Sequence, residues 1–137
     1  MTPIIKHLAP TAADYIALRA TVDWGTLDLQ QAQVSLTNSL YHVSAWDGPD
    51  LVGMGRVIGD GALFFYIQDL VVLPEYQGLG LGHRLMLEIE EYLSRTVTPG
   101  ATIGLFAARG KEAFYSRYGY LTRSGDPLGA GMCKFVS

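Results

Sequence analysis

Between Tyr66 and Leu93 the chain reads YIQDLVVLPEYQGLGLGHRLMLEIEEYL, and this stretch constrains the fold more than any other. It opens as an apolar run, Tyr66 to Leu73, rich in β-branched and aromatic types, which predicts a strand. Pro74 stops that strand, having no N–H for a ladder and restricting the residue before it. Glycine then recurs at Gly78, Gly80 and Gly82. After it, Leu85, Ile89, Tyr92 and Leu93 form the i, i+4, i+7, i+8 stripe of an amphipathic helix, with Arg84, Glu88, Glu91 and Arg95 on the other side. A glycine turn lets the backbone approach a ligand, and the helix start offers unpaired N–H groups and the positive end of a dipole. Together they make a cradle for an anion, usually a phosphate.

The rest of the chain narrows what surrounds that cradle. A length of 137 residues, 49% of them apolar, predicts a single domain, 1–137, with a core of its own. A net charge of −3 without any Lys/Arg cluster argues against a nucleic-acid or anionic-membrane surface. No apolar run is long enough to cross a bilayer and no signal peptide is evident, so a soluble cytoplasmic protein is expected. The single cysteine, Cys133, excludes an internal disulfide and receives no role. His7, His42 and His83 are scattered without ligand spacing, so no metal site is expected.

In order, Ile4 to Leu8 predicts a first strand. Thr11, with Asp14 three residues on, caps a helix to about Val22 that buries Tyr15, Leu18 and Val22. Trp24 and Gly25 break it. Asp28 caps a second helix carrying Leu29, Ala32 and Leu36. The period then becomes that of strands: Tyr41 to Trp46, Leu51 to Ile58 and Ala62 to Leu73, joined by turns at Asp47 to Asp50 and Gly59 to Gly61. After the central helix come a strand at Ala101 to Ala107 and a helix at Lys111 to Tyr118 closed by Gly119. Residues 120–124 and 131–136 complete the order βααβββαβαββ, an α/β fold with a mixed sheet flanked by helices.

Three phosphate motifs fit a glycine turn, and two fail on required residues. A Walker loop needs Gly-Lys-Ser/Thr, and here Gly82 precedes His83 and Arg84. The dinucleotide fingerprint needs a glycine three residues after Gly80-Leu81-Gly82, where Leu85 stands, and a parallel βαβ start. The third, Gln/Arg-x-x-Gly-x-Gly/Ala, is met by Gln77, Gly80 and Gly82. With KEAFYSRYGY at Lys111 to Tyr120 as a second match, the chain resembles the GNAT superfamily of acetyl-CoA-dependent N-acetyltransferases, in its small, single-domain bacterial type.

The resemblance implies a fold with splayed central parallel strands and an acetyl group passing from acetyl-CoA to a primary amine of a small molecule or peptide. Coenzyme A pyrophosphate would lie on the amides around Gln77, Gly78, Leu79, Gly80, Leu81, Gly82 and His83. Its pantetheine arm would pair with Leu70, Val71 and Val72, with an N–H of Leu70 or Val71 at the oxyanion. Tyr115 takes the place of the tyrosine that protonates the departing thiolate; a core tyrosine packed with Phe114 and Tyr118 is the alternative. Lys111 and Phe114 join the cofactor side by position. Where many members carry Asn against coenzyme A this chain has Ala108, with Lys111 or Arg109 as substitutes.

A general base is missing where members place Glu or His: those positions hold Tyr66 and Gln68, expected to orient a water. Strand alternation puts Asp69 on the opposite face from Tyr66, Gln68 and Leu70, an assignment that a bulge would reverse. Trp24, Tyr41, Arg56 and Phe64 are the candidates for the acceptor side. Arg56, inside an apolar strand, needs either an internal carboxylate or an acidic substrate group. A silent acyl-CoA-binding sensor is the alternative function. Homodimers are common in the family, without an interface to assign here.

Overall fold

The computed structural model describes residues 2–137. The chain forms two compact units, one up to Leu105 and one from Phe106 to Ser137. The first contains β1 (Ile4–Lys6), α1 (Ala12–Thr21), α2 (Leu29–Thr37), β2 (Tyr41–Asp47), β3 (Asp50–Gly59), β4 (Phe64–Val72), α3 (Leu81–Thr96) and β5 (Thr102–Leu105). A single 3-10 turn, Pro74–Tyr76, joins β4 to the glycines. The five strands lie in chain order, antiparallel except for the parallel pair β4–β5. A mixed sheet with helices is thus the α/β architecture expected.

Local chemistry sets the boundaries. Thr11 Oγ1 accepts the Asp14 N–H at 3.1 Å and Asp28 accepts that of Gln31 at 2.9 Å, so both expected caps close their helices. β4 begins at Phe64 rather than Ala62, because Asp60 Oδ1 accepts the amides of Ala62, Leu63 and Phe64. These backbone bonds, Phe64's first, hold the Asp60 carboxyl below its usual range.

The sheet separates two layers. On β3, Met54 packs with Ala12, Tyr15, Leu18, Ala32, Leu36 and Val71, which places α1 and α2 on its face. Gly53 and Gly55 alternate with it and face α3: an added Cβ would meet Leu85 Cδ1 at 3.1 Å and Ile89 Cδ1 at 2.8 Å, respectively. These glycines let α3 lie close to the sheet. Gly55→Ala is therefore expected to cost about 1–3 kcal/mol by overpacking, seen as a lower urea midpoint with the slope unchanged. On the helix, Leu81, Leu85, Met86, Ile89 and Leu93 are buried, the predicted stripe with Tyr92 half-buried at its edge.

The second unit holds α4 (Glu112–Ser116), shorter than the predicted 111–118 and followed by Gly119 at φ 91°. The two last strands expected at 120–124 and 131–136 do not form. Neither stretch alternates apolar with polar residues, Gly125, Pro127 and Gly129 interrupt the chain between them, and Leu121, Met132, Phe135 and Val136 are exposed.

Candidate active site

The site begins with an irregularity in β4. Arg56 pairs with Gln68 and Met54 with Val71, so three steps on β4 oppose two on β3. The extra residue is Asp69, whose φ of 56° lies in the left-handed region, a conformation aspartate tolerates better than most residues. The bulge corrects the alternation read from sequence. Asp69 shares the α1–α2 face with Gln68 and hydrogen-bonds to it at 3.1 Å, while Leu70 turns to the α3 face, close to Gly55.

Asp69 is 3% exposed and collects four donors. Its Oδ1 accepts Arg19 Nη1 at 2.9 Å and Gln68 Nε2; its Oδ2 accepts Tyr15 Oη at 2.6 Å and Arg56 Nε at 2.9 Å. Burial first, then the carboxylate charge, pushes the Tyr15 hydroxyl above its ordinary value and keeps it a donor. A carboxylate offers about four lone-pair sites, and all four are taken, so Asp69 has none left for a substrate proton. The bulge reverses its side without making it a base.

Arg56 is resolved by the same contacts. It is 4% exposed, and Nη1 also donates to Ser35 O and Ser39 Oγ, with Nη2 near Tyr15 Oη at 3.4 Å. All three of its nitrogens are committed within the protein, so of the two partners expected for it Arg56 has the internal carboxylate. Arg19, which carries no signal in the sequence, lies against the rings of Tyr15 and Trp24 and donates to Trp24 O at 3.0 Å. Arg56 and Asp69, each a lone charge in an apolar strand, are the sequence signals for this cluster.

Trp24 thus belongs to the Asp69 side. Tyr41 does not: it stacks on Tyr92 of α3 at 4.5 Å and bonds His7 Nδ1 at 2.9 Å, on the opposite face of the sheet from Arg56. Burial, then Glu88, pushes its hydroxyl up to about 12. The sheet thus separates Tyr41 from Arg56 and Trp24, with which it was expected to line the acceptor side. Phe64 sits at the mouth of β4, 62% exposed, and Tyr66 is half-buried opposite Gly104 of β5.

β5 pairs with β4 only from Phe64 to Ile67. Beyond that, Gln68 to Val72 have no strand neighbour on this edge among the described residues. Leu73 N–H donates to Val52 O at 2.9 Å, so by alternation the backbone of Val71 faces β3, and that of Leu70 and Val72 faces the open edge. Val72 O is met there by Gln77 Nε2 at 2.9 Å.

The turn then supplies its amides. Gly78 and Gly80 have φ of 78° and 83°, and Gly80 is the cap of α3. The first intrahelical bond is Arg84 N–H to Gly80 O at 3.1 Å, leaving the N–H groups of Leu81 and Gly82 without an intrahelical acceptor. No acidic side chain occupies this first turn and no side chain caps it. Leu81 is buried, Leu79 is 75% exposed and His83 is exposed. Within the second unit, Phe114 packs edge-on against Tyr115 at 5.1 Å and Tyr118 at 5.5 Å. Lys111 and Arg109 are exposed. Among the described residues no group of three or more His, Cys, Asp or Glu is placed to hold a metal, and no helix is long and apolar enough to cross a membrane.

Compared with known proteins, residues 21–137 match the acetyltransferase (GNAT) domain. An uncharacterized ycf52-like N-acetyltransferase of Prochlorococcus marinus is 32% identical over 109 residues, covering 75% of this chain and 58% of that protein. A ycf52 N-acetyltransferase of Pyropia yezoensis is 31% identical over 113 residues, 80% of this chain and 62% of its own. The chain thus spans about three fifths of the length of these relatives. A solved structure from Staphylococcus aureus, a probable acetyltransferase of unknown function, matches with a TM-score of 0.90 and 31% identity over 98% of this chain and 99% of that one. A GNAT-family acetyltransferase of Streptococcus pneumoniae gives 0.78 and 29%, with 98% of both chains covered.

Proposed function

The chain belongs to the GNAT acetyltransferase family, and on that premise we propose that it transfers the acetyl group of acetyl-CoA to a primary amine of a small molecule or peptide. The observation that carries this reading is the junction of β4 and α3. An open strand edge at Leu70 and Val72 runs into a glycine-capped helix start with free amides and no acidic side chain in its first turn. A long thiol cofactor needs this combination: strand-like pairing for its amide-bearing arm and an anion cradle for its pyrophosphate.

In the reaction so assigned, the lone pair of a neutral amine attacks the thioester carbonyl, the C–N bond forms and the C–S bond breaks. Of the two candidate amides it is the N–H of Leu70, whose backbone faces the open edge, that stabilises the oxyanion. The amine proton passes to water oriented by Gln68 and Tyr66, and the departing sulfur takes a proton from Tyr115. A phenol near 10 and a thiol near 8.5 differ modestly, so this acid assists rather than decides the step. Tyr115→Phe is accordingly expected to lower kcat about tenfold at neutral pH. Unchanged kcat across pH would remove Tyr115 from the mechanism.

Thiol release from acetyl-CoA across a panel of amines, amino acids, polyamines and peptides tests the activity. Saturating acetyl-CoA should also raise the melting temperature, since about 100 Kd of ligand contributes about 2.7 kcal/mol. The fully occupied carboxylate of Asp69, together with amide and phenol at the base positions, favours one second reading, an acyl-CoA-binding domain without turnover. Saturable binding with no thiol release on any amine would select it. The acceptor itself and a cytoplasmic, homodimeric existence belong to this proposal.

A further inference from the structure

Asp69 stands next to Gln68 in sequence, and a regular strand would send their side chains to opposite faces. The bulge brings them to one face, at the cost of a left-handed backbone on a non-glycine residue. Such an outlier persists where surrounding contacts over-determine it, and here they do: Tyr15 and Arg19 from α1, Arg56 from β3 and Gln68 itself all donate to one carboxylate. With both oxygens doubly occupied, the carboxylate cannot rotate. It remains acceptor-only, so whatever Gln68 turns towards it must be a donor.

We infer that Asp69 is the positioning residue of the acceptor site: it holds the Gln68 amide with its NH2 turned inward, leaving the amide oxygen as the end presented to the incoming amine. The inference rests on the acetyltransferase reading and adds to it the identity of the atom that meets the acceptor. A flipped amide would set its oxygen against the Asp69 oxygen at 3.1 Å, two acceptors with no proton between them. The outward oxygen accepts an N–H from a primary or secondary amine and leaves the nitrogen lone pair free for the thioester. An amide oxygen does not take up that proton near neutral pH. The site therefore orients an amine that is already neutral, and the apparent pH dependence of turnover follows the pKa of the acceptor rather than that of a protein base.

Two readouts test this. In a 15N spectrum of the full chain, the Gln68 side-chain amide, assigned with Gln68→Leu, should show slowed solvent exchange that disappears in Asp69→Asn. Rapid, solvent-like exchange in the wild-type protein would overturn the inference. Should Asp69→Asn not fold, the wild-type protein decides: for two primary amines of different basicity, kcat/KM for amine should rise with pH along a limb that moves with the pKa of the amine, with KM for acetyl-CoA unchanged. A limb at the same pH for both amines would show that a protein base sets it and would overturn the inference. If the wild-type protein turned over no amine, the acetyltransferase reading would fail, and the amide spectrum would still decide what Asp69 does to Gln68.

Discussion

Replacing Asp69 with alanine is expected to lower the unfolding free energy by about 3–5 kcal/mol, enough to unfold much of a domain of ordinary stability. The size follows from what is left behind. Arg56 is 4% exposed and loses the carboxylate at its Nε, while Tyr15 Oη and Arg19 Nη1 lose an acceptor at the same moment. Unpaired buried charge costs far more than the pair contributes over an apolar substitute. The double variant Asp69→Leu with Arg56→Met should therefore be less destabilised than Asp69→Ala alone, because it removes the stranded guanidinium along with its partner. Urea unfolding of the two variants and wild type separates these cases. A single variant within about 1 kcal/mol of wild type would mean that water reaches the cluster.

Gly80→Val is expected to weaken acetyl-CoA binding about a hundredfold, or about 2.7 kcal/mol. The argument is conformational. A Cβ at Gly80 meets nothing within 4 Å, so the protein itself has room, but φ is 83° and a β-branched residue there is strained. Relaxing that strain displaces the amides of Leu81 and Gly82 at the start of the helix. Gly100, also in open space with φ of 98°, gives the control: Gly100→Val should lose comparable stability and keep its affinity for acetyl-CoA. Isothermal titration with acetyl-CoA on both variants tests the pair. Equal losses of affinity would remove the glycine turn from the binding site.

Sequence and structure agree where a local rule decides. Thr11 and Asp28 start their helices because one oxygen captures one amide, and the α3 stripe is buried because its period is helical. The glycine turn is legible for the same reason: φ above zero and an uncapped helix start follow from residue type. Sequence fails as a guide where the outcome depends on partners far along the chain. The extra residue at Asp69 is invisible in a run of strand formers, since its stabilisation comes from Tyr15, Arg19 and Arg56 on other elements. The aromatic character of Tyr41 suggests the acceptor side, and its face is set by register against Val57 instead. Residues 120–124 and 131–136 read as strands on composition alone, a weak signal without alternation.

The sheet's strand order, identical to the order in the chain, also bears on how the domain assembles. The three inner strands are joined by tight turns at Gly48 and Gly59 to Gly61, so their pairing closes short loops. The outer pairings, β1 with β2 and β4 with β5, each enclose helices and close long ones. Loop-closure entropy therefore weighs on the two edges, and the meander can find its register before either helical crossover is made.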